Sequence, residues 1–589
     1  MPLSGFAYTP WGRDWLSRGP RNIKNDRRVY SVNKGKYVKM FSLLMSVVLL
    51  ATACSSGNKS NNAQSPEAAT PSSTASPTAN PATTEPGAQE DPLKGTLNIS
   101  LRGQSAEVWG KVAASYEALH PNVKVTVDMK PAEGYRDWLQ AQYAAGEPEA
   151  DFVQTNENAD LTEAQKFVDF KPWLEKANPY TGKPWKDSFN LAGMGINLED
   201  PKLDVIQSLS YESVQILWMY NKEIFAKAGI TDTPKTFNEL IDIYKKLQES
   251  GVTPFAIGAN ALSLWSGQAG WLMRIYPDQY FRDYIELVRS QPEDYTYLPD
   301  IDDNWKFDST DSYNDAKVNV STNELRMLKA VKDKTGPYKL EGNPAWREVF
   351  ENLRTLFGYA PEGFLGMTED QAYKLFLTGK AATMVALPSS YWQLPKDFAE
   401  AQATDGTAGI KPFDFGYFGM PSMEGPNVQA PARTIHIYTG AYGFVKKDAE
   451  QTALDMDFMM YLTSPQGYKV YLEAVQNSKD ASLSGAPLLN DIELPEEMKK
   501  AFSSFEAIGN SEGLPSPGNV LSRGLYDYQP SVQSFVGLIS KYFYNKITVD
   551  EFLTQYQADI DKKFPEMMKQ YKKEMSDLDN PERKPPTRE

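Results

Sequence analysis

Order along this chain begins abruptly. Leu97, Ile99 and Leu101 alternate with polar positions, the period of a half-buried strand. Trp109, Val112, Tyr116 and Leu119 then recur at helical spacing until Pro121, and Val123, Val125 and Val127 alternate again. Strand, helix and strand within about 30 residues make a βαβ unit, which implies parallel pairing and a right-handed crossover. A further amphipathic stretch (Tyr135, Leu139, Tyr143) leads to a short strand at Asp151, Phe152 and Val153. This is the opening of a doubly wound sheet.

A second α/β region begins near Ile216. Thr236 and Glu239 form a capping box, each side chain satisfying an otherwise unpaired backbone N–H. Phe237, Leu240, Ile241, Tyr244 and Leu247 then line one helical face until Gly251. From about 280 to 340 the pattern loosens into an insertion rich in Asp, Tyr and Asn. Helical periodicity returns over 346–357 and 370–378, followed by a strand-like run from Ala382 to Leu387. Further strands are expected near Phe415 and over 440–445, and helices over 449–462 and after Ser464-Pro465.

The N-terminus has a different texture. Lys34, Lys36 and Lys39 precede an apolar run from Met40 to Ala51, too short for a stable membrane span but suited to a signal-peptide core. Ala51-Thr52-Ala53-Cys54 then resembles a lipobox, in which the cysteine is acylated and residues 1–53 are removed. It departs from the usual pattern in having Ala51 where Leu is common. Residues 1–31 form an over-long extension, with Val32 as an alternative start. From Ser55 to Pro92 no aromatic, Val, Ile, Leu or Met occurs, so residues 54–94 read as a lipid-anchored stalk unable to offset its ordering entropy. The alternative is an unmodified cysteine behind an ordinary secretory signal.

Charge and composition narrow the function. The 589 residues are too many for one core. The net charge is −15, and the first 53 residues carry nine Lys/Arg against two Asp, so the remainder carries −22. Such a body repels nucleic acid. One cysteine excludes an intramolecular disulfide, and with two histidines there is little material for zinc or iron. His120 reads as a surface residue and His436 as a structural or cleft histidine. Asp300, Asp302, Asn304 and Asp311 lack the Gly and Glu of a calcium loop, so they read as a solvated acidic loop. No metal or cofactor is expected.

Several ordered segments resemble the family 1 extracellular solute-binding proteins, carbohydrate receptors of ABC importers. They are Tyr220-Asn221-Lys222-Glu223-Ile224-Phe225 with Gly229 and Pro234-Lys235-Thr236-Phe237, then Phe376-Leu377-Thr378-Gly379-Lys380-Ala381-Ala382-Thr383-Met384, Ser464-Pro465-Gln466-Gly467 and Ile547-Thr548-Val549-Asp550-Glu551. The resemblance implies an α/β, two-lobed periplasmic-binding-protein-like fold with hinge strands and a ligand cleft. Lobe one would be 95–213 with 417–480, lobe two 214–416 with 481–575, and 576–589 a polar tail. It further implies a monomeric, non-catalytic receptor on the outer face of a cell membrane, working with the permease subunits of an importer; the stalk and lipid suggest a Gram-positive envelope.

Ligands in open α/β sheets sit beyond the carboxyl ends of strands. That rule selects Gln104 and Ser105 after the first strand, and Gln154, Thr155, Asn156 and Asn158 after the third. Amides suit sugar hydroxyls because each both donates and accepts. Turn capping is the competing role, above all for Ser105. Aromatic candidates for the apolar face of a pyranose are Trp265, Tyr391, Trp392, Tyr438 and Tyr528, with Trp271 assigned to the core. Ser389 replaces the aromatic the family usually carries after its second signature, and Trp392 is the expected substitute. Two other functions compete: a surface glycoside hydrolase working with two carboxylates, and a receptor for a non-sugar solute. No carboxylate stands out at a strand end, and the resemblance carries no catalytic residue.

Overall fold

The alternating apolar positions of the first segment become β1, Gly95–Ser100, with Leu97 and Ile99 fully buried. Ser105 caps the helix Ala106–Leu119 by accepting the Val108 N–H, and β2 follows at Val123–Val127. β1 pairs in parallel with β2 and with β3, Phe152–Gln154. A late strand, β10 (Tyr442–Phe444), joins antiparallel to β3, giving the order β10-β3-β1-β2. This is the sheet of lobe one. The computed structural model describes residues 93–131, 134–155, 158–198, 203–265, 267–403, 410–504 and 528–588. The signal segment, Cys54 and the stalk lie outside them, as does Asn156.

Lobe two is built on β5 (Leu217–Asn221), β6 (Thr253–Ala256), β7 (Ala381–Ala386) and β8 (Phe415–Phe418) in the order β6-β7-β5-β8. β6 and β7 are parallel, while β5 runs antiparallel to β7 and β8. The capping box forms as expected: the Thr236 hydroxyl accepts the Glu239 N–H, and Glu239 accepts the Thr236 N–H. The five apolar residues of that helix face are all buried, and Trp271 lies in the same core.

Among the described residues two strands cross between the lobes, and a third segment runs beside them. β4 (Glu212–Gln215) pairs antiparallel with β9 (His436–Thr439). On its other side Ser213 donates its N–H to Ala486 and Tyr211 accepts the N–H of Leu488.

Contacts redraw the expected lobe limits. β8 lies wholly in the lobe-two sheet, and Arg433 still pairs with Asp278 and Asp315 of lobe two, so the return crossing comes after about 435 rather than at 417. Leu483, Leu488, Leu489 and Met498 pack in the lobe-one core, so that lobe runs beyond 480. The polar tail is not loose: Leu578 is fully buried, Asn323 donates to the Pro581 carbonyl, and Arg588 pairs with Asp577. In the acidic insertion, Asp302 is buried and accepts the N–H groups of Leu298 and Ser321, whereas Asp300 and Asp311 are exposed. The loop is therefore organised by backbone donors rather than wholly solvated. Among the described residues, no group of three or more His, Cys, Asp or Glu is placed to hold a metal.

Candidate functional site

The strand register decides which edges face the crossing. β4 passes into β5 with only Ile216 between them, and Leu217 of β5 pairs with Ala386, the last residue of β7. The carboxyl ends of β7 and its parallel neighbour β6 therefore lie where the chain enters lobe two. In the other direction β9 runs through Gly440 and Ala441 into β10, where Tyr442 pairs with Gln154 at the end of β3. The carboxyl ends of β1 and β3 thus face the same crossing. Both lobes present to it the edge at which open α/β sheets bind ligands.

Lobe one contributes amides. Gln104 follows β1 and is half-exposed. Asn158 follows β3 and is fully buried, yet among the described residues neither its Nδ2 nor its Oδ1 has a hydrogen-bond partner. Such a group costs about 1–3 kcal/mol unless something binds it. Ser105 is spent on its cap, and Gln154 Oε1 accepts the Arg102 N–H.

Lobe two contributes rings. Tyr391 and Trp392 occupy the first turn of the helix Ser389–Ala403 after β7, half-exposed, with centroids 4.6 Å apart. Trp392 also meets Phe502 at 6.0 Å and packs against the lobe-one core, and its buried indole N–H has no partner among the described residues. One turn on, Lys396 donates to the carbonyls of Val475 (3.3 Å), Ser478 (2.6 Å) and Ala481 (2.6 Å) in lobe one. Trp265 follows β6, half-exposed, edge-on to Phe535 at 6.5 Å.

The crossing itself supplies Tyr438 and His436, both half-buried in β9; burial lowers the pKa of His436 and favours the neutral ring. Gln215, opposite His436 in β4, is 6% exposed with its Nε2 unpartnered. Sequence reasoning missed Gln215, because nothing local distinguishes a crossing strand from an ordinary one.

Two expectations are corrected. Tyr528 is only 7% exposed within the lobe-two core, and its hydroxyl donates to Glu566 at 2.7 Å, so it offers no free face to a ligand. His120 is no surface residue: its ring lies 4.6 Å from Tyr116 and its Nε2 is 2.8 Å from the Tyr180 hydroxyl.

A family model described as bacterial extracellular solute-binding protein matches residues 102–469, well over half of the chain. The chain belongs to that family. A curated relative, an uncharacterized ABC transporter extracellular-binding protein of Pyrococcus horikoshii, is 28% identical to this solute-binding protein over 166 residues, 26% of the chain. The match spans only 35% of that relative. Among solved structures, the bacterial solute receptor AcbH, described as exclusively preferring β-D-galactopyranose, matches with a TM-score of 0.50 at 14% identity, over 80% of this chain and 100% of that one. A chitin oligosaccharide binding protein matches with a TM-score of 0.49 at 18% identity, over 80% of this chain and 99% of that one. At these identities AcbH establishes the two-lobed fold alone.

Proposed function

We propose that this solute-binding protein captures a carbohydrate between its lobes and delivers it to the permease subunits of an ABC importer. The observation that carries the reading is the pairing of two unlike edges across the crossing strands. One bears amides, Gln104 and Asn158; the other bears half-exposed rings, Trp265, Tyr391 and Trp392, with Tyr438 between them. Amides complement hydroxyls, and rings complement the C–H face of a pyranose. Asn156, two positions before Asn158 in the sequence, belongs to the same reading. The lipobox-like sequence at Cys54 supports a lipid anchor on the outer face of a Gram-positive membrane, with the receptor working as a monomer on its stalk.

A thermal-shift titration of the purified body tests this. A ligand that binds only the folded state raises the melting temperature. Galactose, maltose, raffinose and chitin oligosaccharides form the panel, and at least one shifts the melt in a saturable way. Trp392→Ala weakens that sugar about tenfold, the loss of one stacked ring. No shift with any sugar would sink the carbohydrate reading. Release of reducing sugar from glycans would favour a hydrolase instead.

A further inference from the structure

We propose that Glu369 is a ligand-binding residue, accepting hydroxyl hydrogens of a neutral sugar that lies against Trp265. The proposal rests on the carbohydrate reading above and names one contact and one selectivity within it.

Topology puts Glu369 at the right edge. It is the first residue of the helix Glu369–Leu377, which leads directly into β7. A helix that precedes a strand and packs on its sheet runs antiparallel to it, so its N-terminus lies at the strand's carboxyl end. That is the edge facing the crossing.

The carboxylate is held by the loop that carries Trp265. Its Oε1 accepts the Gln268 N–H at 2.9 Å and lies 3.4 Å from the Ser263 hydroxyl, residues on either side of the tryptophan. The loop is built around it. A Cβ at Gly267 would stand 1.9 Å from Glu369 Oε1, and one at Gly258 would stand 2.8 Å from the Glu369 backbone nitrogen. The loop is otherwise stitched down: Gln268 bonds both the Gly258 N–H and the Val385 carbonyl, and the Met367 carbonyl accepts from Ala259 and Asn260. Two glycines kept bare beside one carboxylate fix where its oxygens point.

The other oxygen is uncommitted. Among the described residues no donor is bonded to Oε2 and no cation pairs with the carboxylate, while Oε1 takes both donors. Burial raises the Glu369 pKa, the cost of an unneutralised carboxyl in a half-buried place. A carboxylate is acceptor-only, so what completes it is a pair of O–H donors. Adjacent hydroxyls of a neutral sugar supply them. A uronic acid or sugar phosphate would bring a second negative charge to the same spot.

Glu369→Gln is the informative variant, because it keeps an acceptor at the Oε1 position for Gln268 and Ser263 and removes the charge. Calorimetric titration on the full chain uses the tightest-binding sugar of the panel, with galactose and galacturonic acid as a neutral and an anionic pair. The variant is expected to bind the neutral sugar tenfold or more weakly, with an unliganded melting temperature unchanged or raised. The native protein is expected to take no galacturonic acid. Native affinity in the variant overturns the proposal and leaves the carbohydrate reading intact. A melting temperature that falls with affinity also overturns it, assigning Glu369 to loop stability alone. If no panel sugar binds the native protein, both readings fall together.

Discussion

Lobe two gathers buried charges into one ion network, whereas among the described residues two buried carboxyls of lobe one have no ion pair. Arg433, 1% exposed, bonds both Asp278 (Nε at 3.0 Å) and Asp315 (Nη2 at 2.9 Å), while Arg282 adds a 2.8 Å bond to Asp278 and Tyr284 donates to Asp315. Two guanidinium groups against two carboxylates leave no net charge. Burial works to raise the Asp315 carboxyl, but the charge and bonds of Arg433 outweigh it and hold it below its ordinary value. Lobe one, beside its Lys447–Asp151 pair, holds two buried acids with no ion pair among the described residues. Glu212, on the crossing strand, accepts from the Tyr471 hydroxyl and from Ser484, and burial raises its pKa. Asp455 is fully buried, 0% exposed, and burial with the nearby Asp151 charge pushes it up to about 8. A charge pair is indifferent to pH over a wide range, whereas a buried acid is not. The two lobes should therefore respond differently to the same perturbations.

The largest effect is expected in lobe two. Arg433→Ala leaves Asp278 and Asp315 facing each other with Arg282 alone to offset them. Breaking one side of a buried ion network costs about 3–5 kcal/mol. Urea denaturation near neutral pH should show a loss of that size. A loss under 1 kcal/mol would mean that the cluster is wet and worth no more than a surface pair.

A smaller effect of opposite sign is expected in lobe one. The folded carboxyl of Asp455 keeps its proton to about pH 8, against an ordinary value of 3.8 in the unfolded chain. Between those values the folded state binds the extra proton, so stability from this group is full below about pH 4 and is lost as pH rises to about 8. Asp151 does not cancel the trend, because it is already engaged by Lys447 at 2.5 Å and by Asn98. Asp455→Asn keeps the oxygen that accepts from Gln451 at 2.9 Å and removes the titrating proton. At pH 7.5 it should gain on the order of 2 kcal/mol and flatten the decline. Denaturation midpoints from pH 5 to 8.5 measure both, and an unchanged slope in the variant would rule Asp455 out as its source.

How far the sequence could foresee this depended on the range of each interaction. The capping box at Thr236, the strands around Leu97 and Val123, and the cap at Ser105 are set by neighbours within four residues, and each stands where the pattern put it. Trp392 is expected from sequence at the cleft edge, and its contact with Phe502 comes from a helix 110 residues downstream. Tyr528 was misread because its burial depends on Glu566 and the helix Val549–Gln570. An aromatic before a polar-proline step looks the same whether it lines a cleft or a core. The limits at 417 and 480 failed for a related reason: Arg433 carries no local sign that its partners are Asp278 and Asp315. Glu369 was passed over because its meaning lies in two glycines more than 100 residues earlier.

One charge belongs to neither lobe. Lys396 stands on the lobe-two helix Ser389–Ala403 and spends three donors on lobe-one carbonyls, Val475, Ser478 and Ala481, at and just past the end of the helix Pro465–Asn477. An ammonium at a helix C-terminus complements the partial negative charge of its unpaired carbonyls. Ser478 and Ala481 also lie just before the segment at 484–488, which runs beside the crossing strand β4. The lysine therefore joins the lobes beside the strands about which they would turn. Lys396→Met keeps most of the apolar stem and removes the charge, so its effect on unfolding should be the smallest of the three, about 1 kcal/mol. Its effect on shape should be clearer than its effect on stability. Without these bonds the unliganded lobes should separate further, and small-angle scattering should give a larger radius of gyration than the native protein. If scattering is unchanged while stability falls, the bonds brace a fixed joint and the two lobes open without breaking them.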